Sequence, residues 1–167
     1  TFMAKGAVDM DAPYCLYTMG LGSKDIPTLV IDDADLVITL GFDMVEYHPH
    51  LWNPNKDKCI IHADFLPAEI DEHYHPQVEL VGDLAHTLWM LNERLQEHGV
   101  PEYDLAHQAE CRQRMQAELA LHADDDTEGS IRPQKMLWDA RQVMGPDDIV
   151  LSDVGAHKMC CLLYTSD

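Results

Sequence analysis

Two places in this chain bring together residue types that could hold a ligand. The first is Asp153-Val154-Gly155-Ala156-His157, which follows the apolar run Ile149-Val150-Leu151. A glycine there lets the backbone approach a bound group closely. A histidine beside it offers a ring donor to an anion such as a phosphate. The second is Gly41-Phe42-Asp43, which follows the apolar run Leu36 to Leu40. Both lie where open α/β sheets bind ligands, beyond the carboxyl ends of strands. Taken alone, a glycine and a histidine after a strand also describe an ordinary loop.

Other reactive residue types carry weaker patterns. His48, His50, His62, His73 and His75 include two His-x-His pairs. No cysteine or acid stands at a recognised zinc spacing among them, so they read as surface or loop histidines. Gly20-Leu21-Gly22 lacks the third glycine and the preceding strand of a dinucleotide fingerprint, and reads as a loop. Cys15, Cys59 and Cys111 have no base at motif spacing and read as core thiols.

The bulk of the sequence narrows the function classes. The chain has 167 residues, 46% of them apolar, and a formal charge of −19 from 30 acids against 11 bases. That balance repels polyanions, so a nucleic-acid partner is not expected, nor is an anionic membrane surface. No apolar run approaches the ~20 residues of a membrane span. Five cysteines without a framework spacing fit a reducing cytoplasm.

The elements that would position these residues follow from periodicity. Leu36 to Leu40 is rich in β-branched residues and closed by Gly41, and predicts a strand buried on both faces. Residues 58 to 64 and Val78-Glu79-Leu80-Val81 predict two more. Leu84, Leu88, Leu91 and Leu95 share one helical face and predict a core-facing helix, capped by Asp83 and ended by Gly99. Residues 103 to 122 predict a more polar helix, followed by an exposed acidic loop at 124 to 130. Pro133 opens a further helix with Met136, Leu137, Ala140, Val143 and Met144 as its apolar positions. Ile149-Val150-Leu151 predicts another strand. Thr1-Phe2-Met3 reads as the tail of a strand, which implies a cut N-terminus. Strands alternating with helices predict an open parallel α/β sheet with flanking helices, a Rossmann-like domain followed by the start of a second α/β domain.

A family resemblance joins these pieces. Asp148-Ile149-Val150-Leu151-Ser152-Asp153-Val154-Gly155-Ala156-His157-Lys158-Met159 resembles the opening of the cofactor domain of acetolactate synthases, whose pattern there is Asp-Val-Gly-x-His-x-x-Trp. Ala34 to Phe42, Val45-Glu46-Tyr47, Trp52-Asn53, His62-Ala63-Asp64, Pro67-Ala68-Glu69 and Val78 to Asp83 resemble that family's central domain, in its order and spacing.

The resemblance implies a thiamine diphosphate-dependent enzyme that condenses two pyruvates to 2-acetolactate with loss of CO2, of which this chain is an inactive fragment; the alternatives are another thiamine diphosphate-dependent 2-oxo acid decarboxylase or carboligase, or a non-catalytic nucleotide- or metal-binding module. Residues 1–98 would be an N-terminally truncated central domain, 99–130 an interdomain connection, and 131–160 the start of the cofactor-binding domain. Gly155, Ala156 and His157 would lie against the diphosphate. Many relatives have Gln where this chain has Ala156, so there the backbone N–H alone could contribute. No catalytic residue and no metal ligand is expected in this chain. The activating glutamate and the magnesium-binding run belong to other parts of such enzymes. Gly41-Phe42-Asp43-Met44-Val45-Glu46-Tyr47 departs from the Arg-Phe-Asp-Asp-Arg of flavin-containing members and, with Trp52-Asn53, resembles the flavin-independent catabolic branch, so flavin is not expected. The parent enzyme would be a cytoplasmic dimer or tetramer. The tail departs from the family after Met159. Residues 161–167 resemble one translated frame of a transposase adapter used in preparing sequencing libraries, and are expected to be non-biological.

Overall fold

Three parallel strands arise where the apolar runs predict them. In the computed structural model, which describes residues 1–20, 25–125, 128–145, 148–151 and 155 (Phe2 without its side chain), they are β1 (Leu36–Leu40), β2 (Cys59–Asp64) and β3 (Val78–Val81). The sheet order is β1-β2-β3. Thr39 lies opposite His62, and His62 opposite Glu79. The helices are α1 (Ile26–Asp33), α2 (Leu84–His98), α3 (Ala106–Ala120) and α4 (Pro133–Val143). This is the open, parallel α/β architecture expected from the sequence.

The residues at the ends of α2 explain its limits. Asp83 accepts a hydrogen bond from the His86 N–H at 2.7 Å, satisfying a donor that the first turn leaves unpaired. Gly99 ends the helix with a φ of 83°, which a side chain would strain. The helix packs against β2.

Alternation decides what the sheet buries. Thr39, Ile60 and His62 point to one face and are buried. Leu36, Ile38, Leu40, Val78 and Leu80 point to the other, and Ile38 is 52% exposed. The expectation of a strand buried on both faces therefore fails for β1. On the buried side, the loop after β2 brings Tyr74 onto the strands. The leucine stripe of α2 differs in the same way: Leu84 and Leu95 are half-buried, Leu88 and Leu91 exposed. Cys15 and Cys111 are buried thiols, whereas Cys59, on the open face, is exposed.

The chain divides into two compact units, Val30–Asp104 and Thr1–Leu29 with Leu105–Asp167. In the second, α3 packs against α4. Met10, Ala12 and Cys15 form a small core with Tyr17 against it. Arg112 is buried, and its guanidinium donates to the carbonyls of Cys15, Met10 and Asp11 while lying 4.9 Å from the Tyr17 ring. Five fixed donors and a flat face suit arginine to this double duty.

Two strand expectations fail in this unit. Phe2–Ala4 is a short 3-10 turn, with the Ala4 N–H on the Thr1 carbonyl. Residues 149–151 join no ladder, and Leu151 is 93% exposed. A strand exists through hydrogen bonds to a neighbour, and neither segment has one among the described residues. Residues 161–167 lie outside the described residues.

Arg112→Leu should destabilise this unit by about 2–4 kcal/mol, because it leaves three carbonyls without their donor. Arg112→Lys should not restore it, since an ammonium cannot reach the same fork of acceptors. Urea denaturation of the two variants checks both.

Candidate functional site

The carboxyl ends of β1 and β2 open into a crevice of about 300 Å³, lined by Gly41, Phe42, Asp43, Met44, His62, Asp64, Leu66, Pro67, Glu69 and Tyr74. Each wall has a local cause. β1 stops at Gly41, which takes a φ of 58° and donates its N–H to the Ala63 carbonyl at 2.9 Å. A Cβ at Gly41 would lie 3.3 Å from Leu84 Cδ1, so glycine serves both the turn and the approach of α2. Asp43 turns the chain by accepting from the Val45 N–H at 2.8 Å. Asp64 does the same for Leu66 at 3.3 Å.

The floor is a buried polar chain. Tyr74, 1% exposed, lies 2.6 Å from Thr39 Oγ1 and 2.8 Å from His62 Nδ1 through its hydroxyl. His62, 4% exposed, donates through Nε2 to the Leu66 carbonyl at 3.2 Å. Burial raises the Tyr74 pKa above its ordinary 10.0, with the Thr39 hydrogen bond opposing the shift. A turn supplies Tyr74: Asp71 and Tyr74 exchange backbone hydrogen bonds, and the Asp71 carboxylate accepts from the His73 N–H at 2.8 Å. That bond holds the Asp71 carboxyl below its ordinary pKa.

An aromatic cluster backs the floor. Phe42 stands 5.5 Å from Tyr74 and 5.9 Å from Trp52, centroid to centroid. Trp52 Nε1 donates to the Tyr47 carbonyl at 3.2 Å, and Asn53 Nδ2 to the His73 carbonyl at 2.7 Å. The Tyr47 and Trp52-Asn53 elements of the sequence thus serve as buried supports.

The mouth is anionic. Among the described residues, Asp43, Asp64 and Glu69 line it, and no lysine or arginine does. An anionic ligand would meet like charge there. No group of three or more metal-ligating side chains occurs among the described residues. His48 and His50 do approach, with their Nδ1 atoms 2.8 Å apart, as an exposed pair.

The sequence-predicted residues therefore separate. Gly41, Phe42 and Asp43 meet His62, Asp64, Pro67 and Glu69 in the crevice. Gly155 is exposed, in a bend, and Ala156 and His157 lie outside the described residues. Thr39 and Tyr74 are the residues that sequence reasoning missed. Thr39 carried one signal, as the lone polar residue in an otherwise apolar strand.

Among known proteins, the family described as thiamine pyrophosphate enzyme, central domain, matches residues 1–91. An acetolactate synthase of Bacillus subtilis (strain 168) is 28% identical over 98% of this chain and 29% of its own length. A catabolic acetolactate synthase of Raoultella terrigena is 37% identical over 81% of this chain and 23% of its own. An acetolactate synthase large subunit of Porphyra purpurea is 29% identical over 95% and 27%. The chain thus spans under a third of the length of these relatives.

Tyr74→Phe should cost about 1–3 kcal/mol, since it removes the hydroxyl that pairs Thr39 and His62. The variant should also change the response to alkali. The folded state holds the Tyr74 proton more tightly than the unfolded state does. Its contribution is therefore full below pH 10.0 and lost as pH rises through the folded value. Urea midpoints taken between about pH 8 and about pH 11 should show that alkaline loss diminished in Tyr74→Phe.

Proposed function

Because this chain belongs to the thiamine pyrophosphate enzyme central-domain family, we propose that it is a segment of an acetolactate synthase, which joins two pyruvates into 2-acetolactate and releases CO2. The similarity to proteins of that name along 81% to 98% of the chain carries this reading. Thiamine diphosphate, when bound, supplies the electron sink that such carbon–carbon chemistry requires.

In this reading residues 1–98 belong to the central domain, 99–130 connect, and 131–160 open the cofactor-binding domain. Gly155 and Ala156 would meet the diphosphate with backbone, and His157 with a ring N–H. The exposure of Gly155 leaves its backbone open to a ligand. The anionic crevice argues that no diphosphate sits at the ends of β1 and β2, which supports a flavin-free enzyme. Magnesium would accompany the diphosphate through residues other than those named. No helix among the described residues is long and apolar enough to cross a membrane. We place the enzyme in the cytoplasm as a homodimer or homotetramer, with pyruvate as substrate.

The test uses the full-length polypeptide that carries this chain. It should form acetolactate from pyruvate only when thiamine diphosphate and Mg2+ are supplied, and should purify without flavin absorbance. His157→Ala should raise the thiamine diphosphate concentration needed for half-activity by about tenfold or more, the loss of one hydrogen bond to a charged group. Acetaldehyde as the sole product would instead mark a decarboxylase of the same family.

A further inference from the structure

The floor of the crevice can be wired in two ways, and the donors can be counted in each. With His62 neutral, Thr39 donates to Tyr74, Tyr74 donates to His62 Nδ1, and His62 Nε2–H donates to the Leu66 carbonyl. The distances are 2.6, 2.8 and 3.2 Å. With His62 protonated, the two bonds among the three side chains reverse. His62 Nδ1–H donates to Tyr74, Tyr74 to Thr39, and Thr39 to the Ile61 carbonyl, which stands 3.3 Å from its hydroxyl. The Nε2–H bond to Leu66 stays as it is. Both arrangements leave every ring N–H and hydroxyl hydrogen of the three residues with an acceptor.

We propose that Thr39, Tyr74 and His62 form a reversible proton relay, through which the crevice takes up one proton without breaking a buried hydrogen bond. The added proton comes to rest on the imidazole, and two hydroxyl rotors turn to accommodate it.

The charged groups around the ring suit this. Asp43 from the loop after β1, and Asp64 and Glu69 at and beyond the end of β2, line the crevice with His62. Glu79 is its register partner on β3. His73, on the turn that carries Tyr74, is engaged with the Asn53 carbonyl at 3.2 Å. Among the described residues, no lysine or arginine lines the crevice. Those carboxylates put negative charge in the same crevice as the imidazole. The crevice would therefore change charge with pH, rejecting anions more strongly when the relay is unloaded than when it is loaded.

Long-range proton–nitrogen NMR on the full chain, titrated between about pH 4 and about pH 9, reads the relay directly. At high pH, His62 should be the Nε2–H tautomer with Nδ1 accepting. At low pH both nitrogens should carry protons while the backbone resonances of β1 and β2 stay folded. Thr39→Val keeps the neutral wiring, because Tyr74 still donates to His62. It strands the Tyr74 proton in the loaded wiring, so the midpoint of the His62 titration should move down by about one unit, a tenfold loss of proton affinity. Thr39→Ser, which keeps the hydroxyl, should retain the original midpoint. An Nδ1–H tautomer at high pH, a ring that takes up no proton in the folded state, or an unmoved midpoint in folded Thr39→Val would each overturn the relay. The tautomer in the unmodified chain decides the question even if Thr39→Val does not fold.

Discussion

The Val30–Asp104 unit depends on where one phenolic hydroxyl finds its partners. Burying a tyrosine hydroxyl without hydrogen bonds costs free energy comparable to losing much of what its ring contributes. Tyr74 avoids that cost by meeting Thr39 on β1 and His62 on β2, two residues directly opposite in the parallel register. Those bonds fasten the loop after β2 to the buried face of the sheet. They place Phe42 and Trp52 against the same ring. They also fix His62 at the bottom of a crevice whose rim is made by the turns that follow the two strands. Remove that anchor and the polar atoms of two strands lose partners together.

The same arrangement explains why the crevice is selective by charge. Parallel strands end in turns, and here the turns after β1 and β2 are made by Asp43 and Asp64 capping nearby backbone N–H groups. Using carboxylates as turn formers leaves negative charge at a position where related α/β sheets receive nucleotides. A ligand carrying a diphosphate would meet like charge there. The chain's strong overall acidity acts in the same sense.

Much of the sheet was legible because its signals are local. Leu36 to Leu40 combines β-branching with a closing glycine, and Asp83 and Gly99 bracket α2 as capping chemistry requires. The crevice was half legible. Gly41, Phe42 and Asp43 follow directly from a strand end, whereas Tyr74 reaches Thr39 across 35 positions, and nothing in its own loop announces that partner. The apolar composition of β1 could not tell which face would be covered, since Ile38 and Val37 read alike in sequence and differ only in what packs on them. Ile149-Val150-Leu151 shows the same limit: strand propensity without a pairing neighbour among the described residues makes no strand there. Cys59 reads as a core thiol by residue type, yet register puts it on the open face.

The measurement that tests this account most directly is a double-mutant cycle between Thr39→Val and Tyr74→Phe, read by urea denaturation of the full chain. If the Tyr74 hydroxyl ties β1 to the loop, the two substitutions share one hydrogen bond. The double variant should then be less destabilised than the sum of the singles by about 1 kcal/mol or more. Strict additivity would show that the two hydroxyls act independently, and would contradict the hydrogen-bonded anchor on which the crevice is built.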